Sequence, residues 1–341
     1  ENQAPRLTDL EGAASVSQMK RNSAAIALLG LSVVGLSAVE PGKPSVSALE
    51  VTAYRAIGAK HPDPAVRNGD SLAERFLGPD ERDILKKGGS ESILAALPLG
   101  TEDAWNSLGI RKPFAFAVHV RTRHIDAVFE DSLKSGARQV VILGAGLDSR
   151  AYRAPDSVRQ TRVFEVDFPP TQEYKKKRVA EILGSLPSHV TYVPIDFTKE
   201  DLGTVLSKAG YDPKVKTIFV WEGVTFYIPE AAVDATLRFV SGNSPPGSRI
   251  VFDYFLASGL KAPNPTLKDV MQRLEAAREP LIFGLPDDDP EGFIGRRGLA
   301  IGSNVPMKEL IPRFLPKSQL AVSKDVGNAQ ASICTAVVPE K

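Results

Sequence analysis

The sequence predicts an α/β protein with a doubly wound, mostly parallel sheet. From residue 139 onward, apolar runs rich in β-branched and aromatic residues alternate with helical segments, the pattern of a parallel sheet with helices on both faces. A glycine-rich turn follows the first of these runs directly, as in open sheets that bind nucleotide-like ligands. The predicted strands are 139–143, 162–168, 190–195, 216–221 and 248–255, and the helices between them are 171–184, 198–208 and 229–240.

Two short apolar runs, Leu320–Ser323 and Ser332–Val338, predict an antiparallel hairpin near the end of the sequence. Only a few residues, including Gly327-Asn328, separate them, and so short a link cannot make a parallel crossover. Parallel strands closed by such a hairpin differ from the dehydrogenase sheet, in which the sixth strand is parallel.

The first third of the sequence is helical in pattern and precedes the sheet. We predict a main domain over 47–341, with a helical cap built from 47–135 and 256–316. Residues 1–46 are interpreted as an N-terminal tail.

Within that tail, the apolar segment 23–38 follows the basic start Met19-Lys20-Arg21. This pattern is typical of a signal peptide or anchor, although the run is shorter than the ~20 residues of a membrane helix. The alternative is a mobile or packed arm. We expect a cytoplasmic protein, with membrane tethering or export through 19–38 as the alternative.

Composition excludes several classes of function. The formal net charge is +1, which gives no electrostatic reason to expect a nucleic-acid partner. The single cysteine, Cys334, excludes an internal disulfide and a multi-cysteine metal site. The four histidines lack metal-ligand spacing such as HExxH, so no metal is expected.

The stretch QVVILGAGLDSRAYR (139–153) carries the strongest functional signal. Gly144 and Gly146 allow a sharp turn and the close approach of a ligand. The third position of the dinucleotide fingerprint is Ser149 rather than Gly or Ala, which counts against a bound pyrophosphate. A ligand without phosphate, such as S-adenosyl-L-methionine, is compatible with this turn.

Acidic residues follow the next strands. Glu165 and Asp167 end the second strand, about 20 residues beyond the turn, where an acid accepts hydrogen bonds from ribose hydroxyls. We favour Asp167 because it is nearer the carboxyl end of the strand. Asp196-Phe197 follows the third strand, where the acid suits an exocyclic amine and the ring suits an adenine face, although Asp196 also suits a helix cap.

The fourth strand ends at Trp221-Glu222-Gly223, with Tyr227 shortly after it. Glu222 suits an amino group or a substrate, although capping of the next helix explains it equally well. Arg121, on the predicted helix before the sheet, suits a carboxylate ligand. The alternative is that Arg121 lies on a solvent-exposed helix face. The run Lys175–Arg178 is interpreted as the polar face of a helix.

Together these stretches resemble a known family, the leucine carboxyl methyltransferase-like S-adenosyl-L-methionine-dependent methyltransferases, including bacterial members of unassigned substrate. The resemblance covers about residues 48–338. It rests on VRTRHID (120–126), QVVILGAGLDSRAYR (139–153), VFEVDFPPTQEYKKKR (163–178), VTYVPIDF (190–197), FVWEGVTFYIPEAAV (219–233) and, more weakly, EPLIFGL (279–285).

The resemblance implies a class I methyltransferase sheet with a helical cap and S-adenosyl-L-methionine as cofactor. It implies that Arg121 contacts the methionine carboxylate, and that Arg55 or Tyr54 of the first cap helix also touches the cofactor. Its other implied positions are Gly144 and Gly146 against the methionine and ribose, Asp167 on the ribose, Asp196 and Phe197 at the adenine, Glu222 near the amino group and Tyr227 by the substrate.

We therefore expect methyl transfer to an oxygen of a small molecule or peptide terminus, with Tyr227 and Glu222 as the catalytic candidates. A carboxylate acceptor is already ionised, whereas a hydroxyl needs a base, for which Tyr227, His124 and Glu222 are candidates. The alternatives are an NAD-dependent oxidoreductase and a non-catalytic methyltransferase-like domain. The sequence does not identify the acceptor or the oligomeric state, and membrane contact is expected only through 23–38.

Overall fold

The computed structural model describes residues 44–153, 156–197, 199–321 and 330–340, with the backbone alone for residue 157. The apolar segment 23–38 and the rest of the predicted tail up to residue 43 lie outside these residues. Of the helices that the structure describes, none combines the length and hydropathy of a bilayer span.

A seven-stranded mixed sheet with the order β3-β2-β1-β4-β5-β7-β6 forms the centre of the fold. The first five strands are parallel, and β7 runs antiparallel to both of its neighbours, β5 and β6. This confirms the predicted mostly parallel sheet with an antiparallel end. The strands are β1 Gln139–Leu143, β2 Arg162–Asp167, β3 Val190–Pro194, β4 Thr217–Trp221, β5 Arg249–Phe255, β6 Ala300–Pro306 and β7 Ala331–Val337.

The antiparallel pair uses a different first strand from the predicted one. Leu320 and Ala321 lie in a turn, and residues 322–323 lie outside the described part of the chain, so the prediction of a strand at Leu320–Ser323 is wrong. The partner of β7 is β6, which comes from the segment assigned to the cap. A bulge between Ile301 and Ser303 interrupts its pairing, and its mixed composition hides the alternation on which strand prediction depends.

The helical first third is confirmed between the described residues 44 and 138. Ser45 caps the first helix, because its side chain accepts a hydrogen bond from the backbone N–H of Ala48 at 3.2 Å. The cap helices are α1 Val46–Gly58, α2 Pro79–Lys87, α3 Glu91–Ala96, α4 Thr101–Ser107 and α5 Lys112–Lys134, with short 3-10 turns at Ala73–Phe76 and Gly109–Arg111.

The remaining helices flank the sheet or follow β5. They are α6 Arg150–Arg153, α7 Asp156–Arg159, α8 Pro169–Leu183, α9 Leu202–Lys208, α10 Glu230–Gly242, α11 Ala257–Lys261, α12 Pro265–Ala276, α13 Pro290–Gly295 and α14 Met307–Phe314. Further 3-10 turns lie at Thr225–Tyr227 and Lys317–Gln319.

Strand β1 shows why the apolar runs become parallel strands. All five of its residues are buried. Val140 and Ile142 pack into one apolar cluster with α1 and α5, whereas Val141 and Leu143 pack into a second cluster on the opposite face. Burial of both faces favours apolar residues along the strand. At the polar first position, the Gln139 side chain donates hydrogen bonds to Asp212 and Thr217.

Candidate functional site

The glycine turn after β1 is narrow because two residues lack a Cβ atom. Gly144 has a φ of +62° and Gly146 a φ of +41°, values that favour glycine. A Cβ atom on Gly144 would lie 2.4 Å from Cγ2 of Val224. The turn therefore packs directly against the segment that follows β4, and a larger residue at position 144 would separate the two.

Asp167 closes this turn from the end of β2. Its Oδ2 accepts a hydrogen bond from the backbone N–H of Gly146 at 2.5 Å, and its Oδ1 accepts one from Phe168 at 2.7 Å. Burial raises the pKa of the Asp167 carboxyl, while these two backbone donors act in the opposite direction. Asp167 thus lies at the predicted position beside the turn, with its carboxylate already oriented by the backbone.

Glu165, the other acid of β2, has a structural environment instead. It is fully buried, and its carboxylate lies 2.8 Å from Nζ of Lys175 and accepts a 2.7 Å hydrogen bond from the Tyr152 hydroxyl. Burial raises the pKa of Glu165 to about 7, although Lys175 and Tyr152 lower it in part. The interpretation of 175–178 as a purely polar face is wrong for Lys175, whose side chain is 1% exposed, because it pairs with a buried acid.

Asp196 and Phe197 follow β3 at the same edge of the sheet. The backbone N–H of Ile195 donates to the carbonyl of Asp167 at 2.9 Å. This hydrogen bond holds the ends of β2 and β3 side by side, so the two predicted acids, Asp167 and Asp196, lie at neighbouring strand ends. Asp196 pairs with Lys199 at 2.8 Å, and Phe197 packs against the second apolar cluster. The structure therefore gathers the predicted ribose and adenine positions at the ends of β2 and β3.

Glu222, at the end of β4, is held by two arginines. Its carboxylate lies 2.9 Å from Nε of Arg121 and 2.8 Å from Nη1 of Arg150. Arg121 also donates from Nη1 to Asp253 on β5 at 2.8 Å, and Asp253 accepts a 2.6 Å hydrogen bond from the backbone N–H of Gly223. Arg121 and Glu222 thus lie in contact, and Arg121 is already paired with two acids.

These contacts belong to a longer chain of buried ion pairs, which we call the buried ionic chain. It connects the cap, the glycine turn and the ends of β4 and β5, and none of its side chains is more than 11% exposed. Its members, in order of contact, are Arg55, Asp70, Arg153, Asp126, Arg150 with Asp148, Glu222, Arg121 and Asp253.

Sequence reasoning missed Arg150 and Asp253 as members of the site. Arg150 opens the short helix that follows the glycine turn, and Asp253 is the acid of β5, in which the five central residues are buried. A charged residue in a buried strand needs an oppositely charged or hydrogen-bonding partner. The presence of Asp253 within a predicted buried strand could therefore have indicated a buried ion pair. For Arg150 the only signal was its place beside the turn.

Tyr227 lies where the cap meets the sheet. Burial raises the pKa of its hydroxyl, which is close to Ser47 of α1 and to Glu279. The segment after α12 covers this region, because the backbone N–H of Ile282 donates to the carbonyl of Phe226 at 2.8 Å. The predicted substrate position therefore lies under the cap, and part of the weakly matching motif 279–285 packs over it.

The backbone before this cover is strained. Arg278 has a φ of +61°, in the left-handed region that a residue with a Cβ atom rarely adopts. The turn lets the N–H of Glu279 donate to the carbonyl of Leu274 at 2.7 Å, which ends α12. It also directs Glu279 toward α1, where Oε2 accepts a 3.3 Å hydrogen bond from the N–H of Ser47.

The arrangement fits an amino-acid-bearing nucleoside without phosphates. Near the end of β4, Nη2 of Arg150 is a buried donor without a hydrogen-bond partner in the described structure. Oε2 of Glu222 lies 2.8 Å from Nη1 of the same arginine, in an ion pair without an aligned hydrogen bond. A guanidinium donor beside a carboxylate suits the carboxylate and the ammonium of an amino acid. The glycine turn gives close approach, and the carboxylate of Asp167 suits ribose hydroxyls, so the donor set fits S-adenosyl-L-methionine.

Comparison with known proteins points the same way. The family model of leucine carboxyl methyltransferase matches residues 48–241. A relative from Mycobacteroides abscessus is 32% identical over 243 residues, which cover 71% of this chain and 74% of that protein. A relative from Streptomyces coelicolor is 30% identical over 295 residues, which cover 84% and 94%. Both are named as provisional S-adenosyl-L-methionine-dependent methyltransferases, and neither name states an acceptor.

A solved protein of the DUF574 family from Streptomyces avermitilis has a TM-score of 0.50 at 15% identity, covering 83% of this chain and 100% of that one. This likeness concerns the fold alone. The antiparallel β7 also contradicts the parallel last strand that a dehydrogenase requires. The chain therefore belongs to the leucine carboxyl methyltransferase family and is an S-adenosyl-L-methionine-dependent methyltransferase with a class I sheet and a helical cap.

Proposed function

We propose that this methyltransferase acts on oxygen and that its acceptor is a carboxylate on a small molecule or a peptide terminus. The observation that carries the proposal is the position of the Tyr227 hydroxyl, which lies close to Ser47 and Glu279 where the cap meets the sheet edge. Since burial raises its pKa, the phenol stays protonated at neutral pH and can donate a hydrogen bond. A carboxylate oxygen is the natural acceptor of such a bond.

When bound at this site, S-adenosyl-L-methionine would supply a methyl group carried on its sulfonium. The residues of the chain hold the two reactants in line and exclude water, which is the main requirement of a displacement of this kind. Asp167 would accept from the ribose, and Glu222 with Arg150 would hold the amino-acid end. Asp196 and Phe197 would flank the adenine, and Arg121 would act mainly through Glu222.

The three candidate bases support a carboxylate acceptor, which needs no base. Burial would raise the pKa of Glu222, but Arg150 and Arg121 outweigh it and hold that pKa below its usual range, so the carboxylate is a weak base. Tyr227 is protonated. His124 packs against Phe314, and burial and Arg313 lower its pKa, but it faces α14 rather than Tyr227.

A hydroxyl acceptor is the second candidate, and one observation favours it. The carboxylate of Glu279 lies near Tyr227 and Ser47, where it could take a proton from a hydroxyl. The Glu279→Gln variant separates the two, because a carboxylate acceptor keeps its rate without this base. A hydroxyl acceptor would lose roughly 100-fold or more.

The deciding experiment uses S-adenosyl-L-methionine with a radiolabelled methyl group and a panel of carboxylic acids, each paired with its primary amide and its alcohol. Methyl esters release volatile methanol in mild alkali, whereas methyl ethers do not. Labelled product from the acids alone, with the label volatile after alkali, is the expected result. Stable label on the alcohols, lost in Glu279→Gln, would replace the carboxylate with a hydroxyl acceptor.

A further inference from the structure

The buried ionic chain is not balanced in charge. Its members, all within the described part of the molecule, are four arginines and five carboxylates, connected by contacts of 2.5–3.7 Å. Four positive and five negative groups leave one negative charge in excess. Each member of the chain has an oppositely charged neighbour, so the excess belongs to the chain as a whole.

Three acids of the chain have pKa values below their usual range. Burial opposes ionisation of Asp126, but Arg153 and Arg150 outweigh it and lower its pKa. Asp148 and Glu222 behave in the same way, with burial opposed chiefly by Arg150. Their paired arginines therefore keep these three carboxylates charged at neutral pH.

Neighbouring groups do not cancel this excess. Lys175 is paired with Glu165 at 2.8 Å, so the pair is neutral as a whole above pH 7, where Glu165 is ionised. Asp167 beside the glycine turn and Glu279 under the cap are further acids. Cations at the surface are screened by solvent and contribute little. The donor site thus lies in a buried field of negative sign.

The two forms of the cofactor differ in charge. S-adenosyl-L-methionine carries an ammonium, a sulfonium and a carboxylate, and so a net charge of +1. The product S-adenosylhomocysteine lacks the sulfonium charge and is neutral overall. We propose that the buried ionic chain selects the charged donor over the neutral product, and that Asp253 and Asp126 are specificity-determining residues that act through Arg121 and Arg150.

This selection limits product inhibition by electrostatics rather than by shape. It concerns the methyl donor and does not depend on the acceptor proposed above. Asp253 contacts Arg121 and the N–H of Gly223, next to Glu222, so its charge lies beside the donor site. A unit charge at about 10 Å in an effective dielectric constant of 20 changes affinity roughly tenfold.

The test is calorimetry on the purified full chain with three ligands. S-adenosyl-L-methionine and sinefungin, an analogue with an amine in place of the sulfonium, carry the extra positive charge, and S-adenosylhomocysteine does not. We expect the two cations to bind the wild-type protein about fivefold or more tightly than the product. The readout is the dissociation constant of the product divided by that of each cationic ligand. A general loss of affinity leaves this ratio unchanged.

Two variants and one control complete the design. Asp253→Asn and Asp126→Asn each remove one negative charge and should lower the ratio at least about threefold. The control Asp131→Asn makes the same change at an exposed position of α5 and should leave the ratio unchanged. Either Asn variant that folds is sufficient.

Product binding as tight as that of both cations to the wild-type protein would overturn the proposal. An unchanged ratio in the folded Asn variant would do the same. Binding of none of the three ligands would instead contradict the donor assignment itself.

Discussion

Replacement of Asp167 by alanine tests the centre of the site, because this carboxylate has two functions at once. It accepts hydrogen bonds from the N–H groups of Gly146 and Phe168, and we expect it also to accept from the ribose. Loss of the carboxylate leaves two backbone donors without their partner, at about 1–3 kcal/mol for a buried group. Allowing for partial solvation of the turn, we expect Asp167→Ala to lower the free energy of unfolding by about 2–4 kcal/mol.

The same variant should bind S-adenosyl-L-methionine about 1–3 kcal/mol more weakly, or roughly 5–150-fold, because the ribose donors also lose their acceptor. Urea unfolding gives the first quantity, and calorimetry well below the unfolding transition gives the second. The control Asp156→Ala changes an exposed residue and should stay within about 0.5 kcal/mol of wild type.

Asp167→Asn refines the test, since its amide oxygen can still accept from one of the two N–H groups. We expect intermediate values for both stability and affinity. Wild-type stability together with wild-type affinity in Asp167→Ala would remove this residue from the site. A loss of stability with unchanged affinity would leave it a structural role only.

Three further predictions follow from single residues. Tyr227→Phe should slow methyl transfer about tenfold or more by removal of one buried donor, with cofactor affinity near wild type, and steady-state kinetics on the acceptor found in the panel checks it. Gly144→Ala should destabilise the protein by about 1–3 kcal/mol, because its Cβ would meet Val224 at 2.4 Å. Partial recovery of urea stability in Gly144→Ala/Val224→Ala would identify the clash as the cause. Burial lowers the pKa of His119 from 6.5 to about 4. The folded protein therefore keeps this histidine neutral, and its contribution to stability is fully present above pH 6.5. About 3 kcal/mol of the free energy of unfolding is lost as the pH falls from 6.5 to 4. The difference in unfolding free energy between pH 7.5 and 4.5 should shrink in His119→Gln, and an equal difference in both proteins would contradict this origin.

The parallel part of the sheet could be predicted because its signals are local. Strand β1 is apolar at all but its first position, and each of the five parallel strands lies within two residues of its predicted bounds. Strand β6 could not be predicted in this way. Its sequence AIGSNVP contains a glycine, a proline and two polar residues, and it becomes a strand only because β7, some 30 residues later, pairs with it.

The site shows the same division. Gly144 and Glu222 directly follow a strand and Asp167 ends one, so position along the chain was enough to single them out. The pairing of Arg121 with Asp253 joins residues 132 positions apart, and no spacing rule anticipates it. Lys175 was misjudged because a run of basic residues usually faces solvent, whereas the buried Glu165 draws the first of them inward.

Strand β7 lies between β5 and β6, although both precede it in the sequence. During translation, residues 300–306 therefore have no strand to pair with until residues 331–337 have left the ribosome. Until then the backbone N–H and C=O groups on one edge of β5 have no pairing partner. Exposed strand edges of this kind are where a chaperone or a second nascent chain can bind. A chain truncated shortly before Ala331 would lack β7 and would leave the pairing edges of β5 and β6 without their partner, which favours aggregation.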